Sequence, residues 1–379
     1  MPGAIKGGFK MNGMTPVYLD YNATAPLRPE AVEAMASLAN MPANPSSIHH
    51  FGRVARAQMD TARQQLCAVV NISVHDLVFT SGGTEANNMV LGNFSHIITS
   101  AVEHDAILAA CPEADIIPVD SEGRVHLDKL EALLEAVPET HRKQVLVSVM
   151  AANNETGVIQ PLAEIASLCR RYNVASHSDM IQYLGKAPID LTALGMDFAS
   201  FSAHKIGGPS GVGALYCRAG QKLVSLLRGG GQEQGRRAGT ENLPGIIGFG
   251  AAIAAQDLAS IEAQASWRDA AEAEIQAACP EIQIMGGKAS RLANTSALYL
   301  PGLAAQKAVM MLDLAGFSIS AGAACSSGKV RDSHVIAAMA RPEAAAQVIR
   351  ISGGWQSEQA DWSGVAAALI EIYKRSKEY

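Results

Sequence analysis

Between residues 77 and 217 the chain alternates short apolar runs with helical stretches, and this alternation limits its fold more than any other feature. Runs at 77–80, 96–99, 115–119, 145–149, 174–177, 198–202 and 212–216 read as strands, and 105–110, 127–136 and 162–172 read as helices. Alternation at this spacing predicts an α/β fold, a mostly parallel sheet with helices on both faces. Ligands in such sheets bind beyond the carboxyl ends of the strands. The polar clusters fall at those ends: His104, Asn153-Asn-Glu155, Asp179 with Gln182, and Ser202 to Lys205.

Three loops stand out. Ser200-Phe-Ser-Ala-His-Lys205-Ile-Gly-Gly-Pro-Ser-Gly211 reads as a strand end, a tight loop and the approach to another strand. Such a loop suits a Schiff-base lysine, which needs partial desolvation and a backbone that can approach a cofactor; alone, it also fits a surface loop. Ser81-Gly-Gly-Thr-Glu-Ala-Asn-Asn88 joins a strand to a helix, so Gly83 and Thr84 can form an anion site at the helix start or simply cap it. It lacks the spacing of a Walker loop. The glycine-rich stretch 229–242 carries Arg236, Arg237, Thr240 and Asn242, the donors of a phosphate-binding loop.

At 379 residues the chain exceeds the usual size of a single core, so two domains are expected. The division falls near Ala259, where the pattern turns to Ala/Glu-rich helices and shorter strands. Residues 15–258 form the expected large domain; 1–14 and 259–379 form the smaller α+β domain. Earlier parts read as a strand at 17–20, helices at 29–38 and 54–70, and an irregular polar stretch at 44–53; a further helix is expected over 243–258. The last part reads as elements at 295–300, 304–314 and 317–320 and a helix from about 358.

Composition excludes several function classes. A net charge of −6 without a dominant basic run speaks against nucleic acid or an anionic membrane as partner. Six scattered cysteines with no C-x-x-C pair fit reduced thiols in a cytoplasmic protein, not a disulfide framework. His49-His50 and the isolated cysteines lack metal-ligand spacing. Residues 1–14 are Gly-rich without an apolar core, so they read as a loose leader and not a signal peptide.

A pyridoxal phosphate site needs a lysine, an anion for the ring nitrogen, a phosphate cup and a group to stack on the ring. Lys205 can be the lysine and Asp179 the anion. Gly83, Thr84, Ser202, His204 and Thr240 can bind phosphate, and His104 can stack and move protons.

These stretches resemble the cysteine desulfurases of the class V aminotransferase group, within the fold-type I pyridoxal phosphate enzymes. The likeness rests on 18–26, 79–87, Glu103-His104, Asn153-Asn-Glu155, Asp179 with Gln182, 202–205, 207–209, 229–233, 239–242, 320–328 and Arg350-Ile-Ser352, and runs over about 17–370. It implies a seven-stranded, mostly parallel sheet in the large domain. It also implies Lys205 as the Schiff-base lysine, Asp179 at the pyridine nitrogen, Gln182 near the ring hydroxyl and His104 stacked on the ring. Thr84, Ser202 and His204 would hold the phosphate, with Thr240 entering from the second subunit of a homodimer. Asn154 and Arg350 would hold substrate L-cysteine, with Asn154 also near the cofactor. Cys325 would be the nucleophile that takes the sulfur as a persulfide, leaving alanine.

Cys325 also stands out by its own neighbours: Ala-Gly-Ala-Ala-Cys-Ser-Ser-Gly is too small to pack a core. A mobile loop, about 321–333, is what a thiol needs to reach a cofactor and then a distant acceptor. Its length resembles the subgroup that passes sulfur to iron–sulfur scaffold or other acceptor proteins, where Cys325 would also be a possible cluster ligand during transfer. The competing readings are a selenocysteine lyase, a class V aminotransferase, or an inactive platform for cluster assembly. The chain departs from the family at Met180, where a small residue usually faces the cofactor; methionine must turn away or crowd the ring. Ser210, Gly353 and Trp355 also differ from the usual pattern.

Overall fold

A computed structural model describes residues 16–322 and 332–378; the expectations for residues 1–14 and for Cys325 lie outside them. The first described elements are β1 (Val17–Tyr18), α1 (Pro29–Ala36) and α2 (His50–Val70). The alternating part follows as β2 (Leu77–Thr80), α3 (Gly83–Leu91), β3 (His96–Ser100), α4 (Asp105–Leu108), β4 (Asp115–Ile117), α5 (Leu127–Ala136) and β5 (Val145–Ser148). It continues as α6 (Leu162–Arg171), β6 (Ala175–Asp179), α7 (Leu191–Leu194), β7 (Phe198–Ser202) and β8 (Gly213–Cys217). These strands form one seven-stranded sheet in the order β2-β8-β7-β6-β5-β3-β4. β8 runs antiparallel to both neighbours, and the remaining pairs are parallel. Strands β2, β5, β7 and β8 are buried throughout, as a sheet covered on both faces requires.

The expected break near Ala259 is sharper in the structure. Helix α8 (Leu243–Ala254) ends before α9 (Leu258–Ala278) begins, because Asp257 accepts from the Ala259 and Ser260 amides and starts a new helix. Beyond it lie β9 (Gln283–Ile284), β10 (Thr295–Tyr299), α10 (Ala305–Leu314), β11 (Phe317–Ser318), β12 (Ser320–Ala321), α11 (His334–Ala338), β13 (Val348–Ser352) and α12 (Gln359–Ser376). A four-stranded sheet in the order β12-β13-β10-β9 packs with α9, α10 and α12 around Trp362, Leu369 and Tyr373. The start of the chain joins this second core instead of the large sheet with which the sequence groups it. β1 pairs in parallel with β11, and Leu19 is fully buried among the C-terminal apolar residues.

Helix α2 begins earlier than the sequence suggests. His49 accepts from the Gly52 amide and caps it, so residues 50–53 join the helix and leave the irregular stretch. Helix α8 then crosses α2 at close range: a Cβ on Gly250 would stand 2.6 Å from Ala62 Cα and Cβ. Gly250→Ala therefore overpacks the crossing and should cost about 1–3 kcal/mol in denaturant unfolding. Wild-type stability in that variant would show that the two helices can separate freely.

Candidate active site

The carboxyl ends of the central strands open on a cavity of about 320 Å³. Its walls include Gly83, Thr84, His104, Asn154, Asp179, Gln182, Ser202, His204 and Lys205, so nine residues expected from sequence meet in one place. Strand geometry explains the meeting. Asp179 closes β6 and Ser202 closes β7, while His104 and Asn154 follow the ends of β3 and β5.

Each group is held by short-range contacts. Asp179 is buried; its Oδ2 accepts from Asn87 Nδ2 at 2.7 Å and its Oδ1 from the Ile181 amide at 3.0 Å. His104 caps α4, with Nδ1 accepting from the Ala106 amide at 3.0 Å, so the neutral ring carries its proton on Nε2. Lys205 Nζ donates to the Asn22 and Ala23 carbonyls at 2.7 and 2.8 Å. His204 lies 3.2 Å from Thr24 Oγ1; burial, then the Lys205 and Lys186 cations, pull its imidazole down to about 4. It therefore faces the cavity as a neutral ring at ordinary pH.

Pyridoxal phosphate fits this donor set. The first amides of α3 point at the same wall as the Thr84 and Ser202 hydroxyls, which is a phosphate site reinforced by the helix dipole. Gly83 leaves room there, since a Cβ would run into Ile181 Cδ1. A carboxylate and an amine stand on the same cavity as that cup.

One expectation changes, that of the 229–242 arginines, and the structure gives the placement of Met180, Thr240 and Arg350. Met180 turns away from the cavity: it is fully buried in the core, and Ile181 takes the facing position. The 229–242 loop does not add its arginines to the phosphate cup. Arg236 donates to the Leu77 carbonyl, and Arg237 grips the Glu85 carboxylate at 2.9 and 3.3 Å. Thr240 is exposed and lines a different recess, beside Ser81, Gly211 and Asn242, so its own chain does not bring it to the cavity. Arg350 is fully buried just behind the wall, donating to Asp20 Oδ1 at 2.6 Å and to the Asn154 carbonyl at 3.0 Å. Trp355, which departs from the family pattern, donates Nε1–H to the Pro26 carbonyl and stacks under Arg28.

The sequence reading missed Asn22, Lys186 and Glu103 as parts of the site. Asn22 was visible only within the matched 18–26 stretch, and nothing in the sequence singled out Lys186. Glu103 is fully buried next to His104; its Oε1 accepts from Ser100 Oγ at 2.6 Å and from the Met150 amide at 2.8 Å. The described cysteines are all buried or half-buried, and none lines the cavity. Burial pushes the Cys67 and Cys217 thiols up to about 11 and the Cys169 thiol to about 12. No cluster suited to a metal ion occurs among the described residues.

Known proteins agree with this arrangement. The family description "Aminotransferase class-V" matches residues 17–363, and the chain belongs to that family of pyridoxal phosphate enzymes. Within it the near relatives carry a narrower name. The chain is 40% identical to the cysteine desulfurase IscS of Dictyoglomus turgidum, over 95% of each protein. It is 39% identical to a cysteine desulfurase of Klebsiella pneumoniae, over 96% of this chain and 94% of that one. Among solved structures, a NifS-like protein from Rickettsia africae superposes with a TM-score of 0.87 at 35% identity, covering 95% of this chain and 99% of that one. SspA in complex with cysteine superposes at 0.76 and 29% identity, covering 89% and 98%.

Glu103 sets a pH dependence. Burial is the largest cause that raises its carboxyl from 4.5 to about 8. The folded state therefore holds a proton that the unfolded chain releases, so stability is fullest below 4.5 and falls as pH rises toward 8. Glu103→Gln should flatten that fall in denaturant melts taken across the interval; an equally steep fall in the variant would assign it to other groups.

Proposed function

We propose that this chain is a cysteine desulfurase that moves sulfur from L-cysteine onto Cys325, leaving a Cys325 persulfide and L-alanine. The observation that carries the reading is the convergence of Lys205, Asp179, His104 and the Thr84–Ser202 phosphate cup on one cavity.

Pyridoxal phosphate supplies, when bound, an aldehyde carbon open to amines and a ring that draws electrons from a bond at the substrate's α-carbon. Lys205 is the amine that would anchor the group, and its Nζ would be the base at the substrate's α-carbon. Asp179, pinned by Asn87 and Ile181, holds a proton on the ring nitrogen. Thr84, Ser202 and His204 would hold the phosphate, and the His104 ring face would be available for stacking, with its Nε2–H for proton transfer. Asn154 and Arg350 orient the substrate. Because Arg350 is paired with Asp20, gripping the substrate's carboxylate means exchanging one carboxylate for another.

The Cys325 thiolate attacks the substrate sulfur. A sulfur–sulfur bond forms, the sulfur–carbon bond breaks, and its electron pair passes to the substrate's β-carbon, which gains a proton. The high thiol pKa of the buried cysteines supports giving this role to Cys325, which lies outside the described residues.

The working unit is a homodimer in which Thr240 of one copy completes the phosphate site of the other; its exposed position off its own cavity supports this. The persulfide serves an iron–sulfur scaffold or another acceptor protein in the cytoplasm, with the scattered unpaired cysteines supporting that compartment.

Cys325→Ala should keep the cofactor's colour and lose persulfide formation by roughly a thousandfold or more, followed by labelled sulfur and alanine release. Lys205→Ala should lose the colour that borohydride fixes. Wild-type sulfur release by Cys325→Ala would remove the nucleophile, and a keto acid in place of alanine would make the enzyme an aminotransferase.

A further inference from the structure

Two lysines serve one buried asparagine. Lys205 Nζ donates to the Asn22 carbonyl and Lys186 Nζ to Asn22 Oδ1, each at 2.7 Å. Lys186 Nζ also donates to Gln182 Oε1 at 2.6 Å, and Gln182 Nε2 donates to the Asn22 carbonyl at 2.9 Å. Asn22, Gln182 and Lys186 are all buried, with Lys186 only 8% exposed.

A buried lysine is costly to keep, and an apolar side chain of the same length would fill the space without the desolvation penalty. Burial, then the Lys205 cation, then Arg350, push the Lys186 ammonium well below the usual lysine range. Both of its bonds to Asn22 and Gln182 are donations to amide oxygens, and a neutral amine makes both. The anchor therefore survives loss of the proton.

A carboxamide accepts at one end and donates twice at the other. With Gln182 Oε1 taken by Lys186 and one N–H by Asn22, its second N–H is what it can offer to the cavity it lines. Flipping the amide would set its oxygen against the Asn22 carbonyl, a mismatch whatever the charge of Lys186, and would set N–H against Nζ whenever Lys186 is protonated.

We propose that Lys186 is a positioning residue: by gripping Gln182 Oε1 and Asn22 Oδ1 it fixes the Gln182 carboxamide so that an N–H, and not the carbonyl, meets the phenolic oxygen of bound pyridoxal phosphate. The inference rests on the cofactor reading above and extends it to a residue that does not line the cavity. An N–H given to that oxygen favours its anionic form, so losing the N–H weakens cofactor binding and raises the pH at which the bound cofactor's visible band changes.

The test uses full-length apoenzyme and holoenzyme. In Lys186→Met, pyridoxal phosphate should bind roughly tenfold more weakly, the loss expected for one positioned hydrogen bond. The midpoint of the absorbance titration should rise by about one pH unit. Gln182→Leu should give the same two shifts, and the double variant no more than either. Lys186→Leu repeats the test if Lys186→Met does not fold. A crystal structure of the wild-type holoenzyme should place Gln182 Nε2 on the phenolic oxygen; the carbonyl there overturns the proposal whatever the variants do. Losses that multiply in the double variant overturn it too, as does a lowered unfolding midpoint with an unmoved titration, the mark of a merely structural lysine. Wild-type apoenzyme that takes up no pyridoxal phosphate would defeat the cofactor reading itself, which is a separate outcome from wild-type binding with unchanged variants.

Discussion

The site depends on the side chain and backbone of Asn22, buried where the two cores meet. Its carbonyl accepts from Lys205 and Gln182, and its Oδ1 from Lys186. Its Nδ2 donates to the Asn154 carbonyl and to Thr295 Oγ1, and its amide donates to Ser352 Oγ. The first set belongs to the large sheet and its loops; Thr295 and Ser352 lie on β10 and β13 of the smaller one. Each buried polar group there is expensive to leave unpaired, so the network fixes both sheets around the amine. That is why β1 leaves the large domain: the chain must run along β11 to bring Asn22 to Lys205.

The large sheet was legible because its strands are short, apolar and separated by helical stretches. Residues 77–80, 127–136 and 198–202 have the limits the sequence suggests. Boundaries moved where one side chain decides them, as at His49 and Asp257. The cavity was legible for a related reason: at strand ends, polar residues are informative because little else demands them. Asp179 and Lys205 could be singled out in this way.

What was hidden is whatever depends on long-range pairing. Asn22 and Lys186 lie 164 positions apart, and nothing near either signals the contact. The arginines of the 229–242 loop looked like phosphate donors because charge alone does not name a partner; Glu85 and the Leu77 carbonyl claimed them. Of the two outcomes open for Met180, turning away or crowding the ring, the first holds, because strand alternation turns it from the face Asp179 occupies.

The described residues on either side of 323–331 are firmly anchored. Gly322 is tied by its amide to the Val348 carbonyl, and Ser333 Oγ donates to the buried Glu155 carboxylate at 2.6 Å. His334 adds a bond from Nε2 to the Glu103 carbonyl, next to His104. Three residues from Gly322, the Cys325 backbone can lie no more than about 11 Å from that fixed point, whatever path the chain takes. The leash is shorter than the width of a small domain. If Cys325 carries the sulfur as proposed, an acceptor would therefore have to bring its receiving group to this rim, so its shape there would do more than the enzyme's reach to select it.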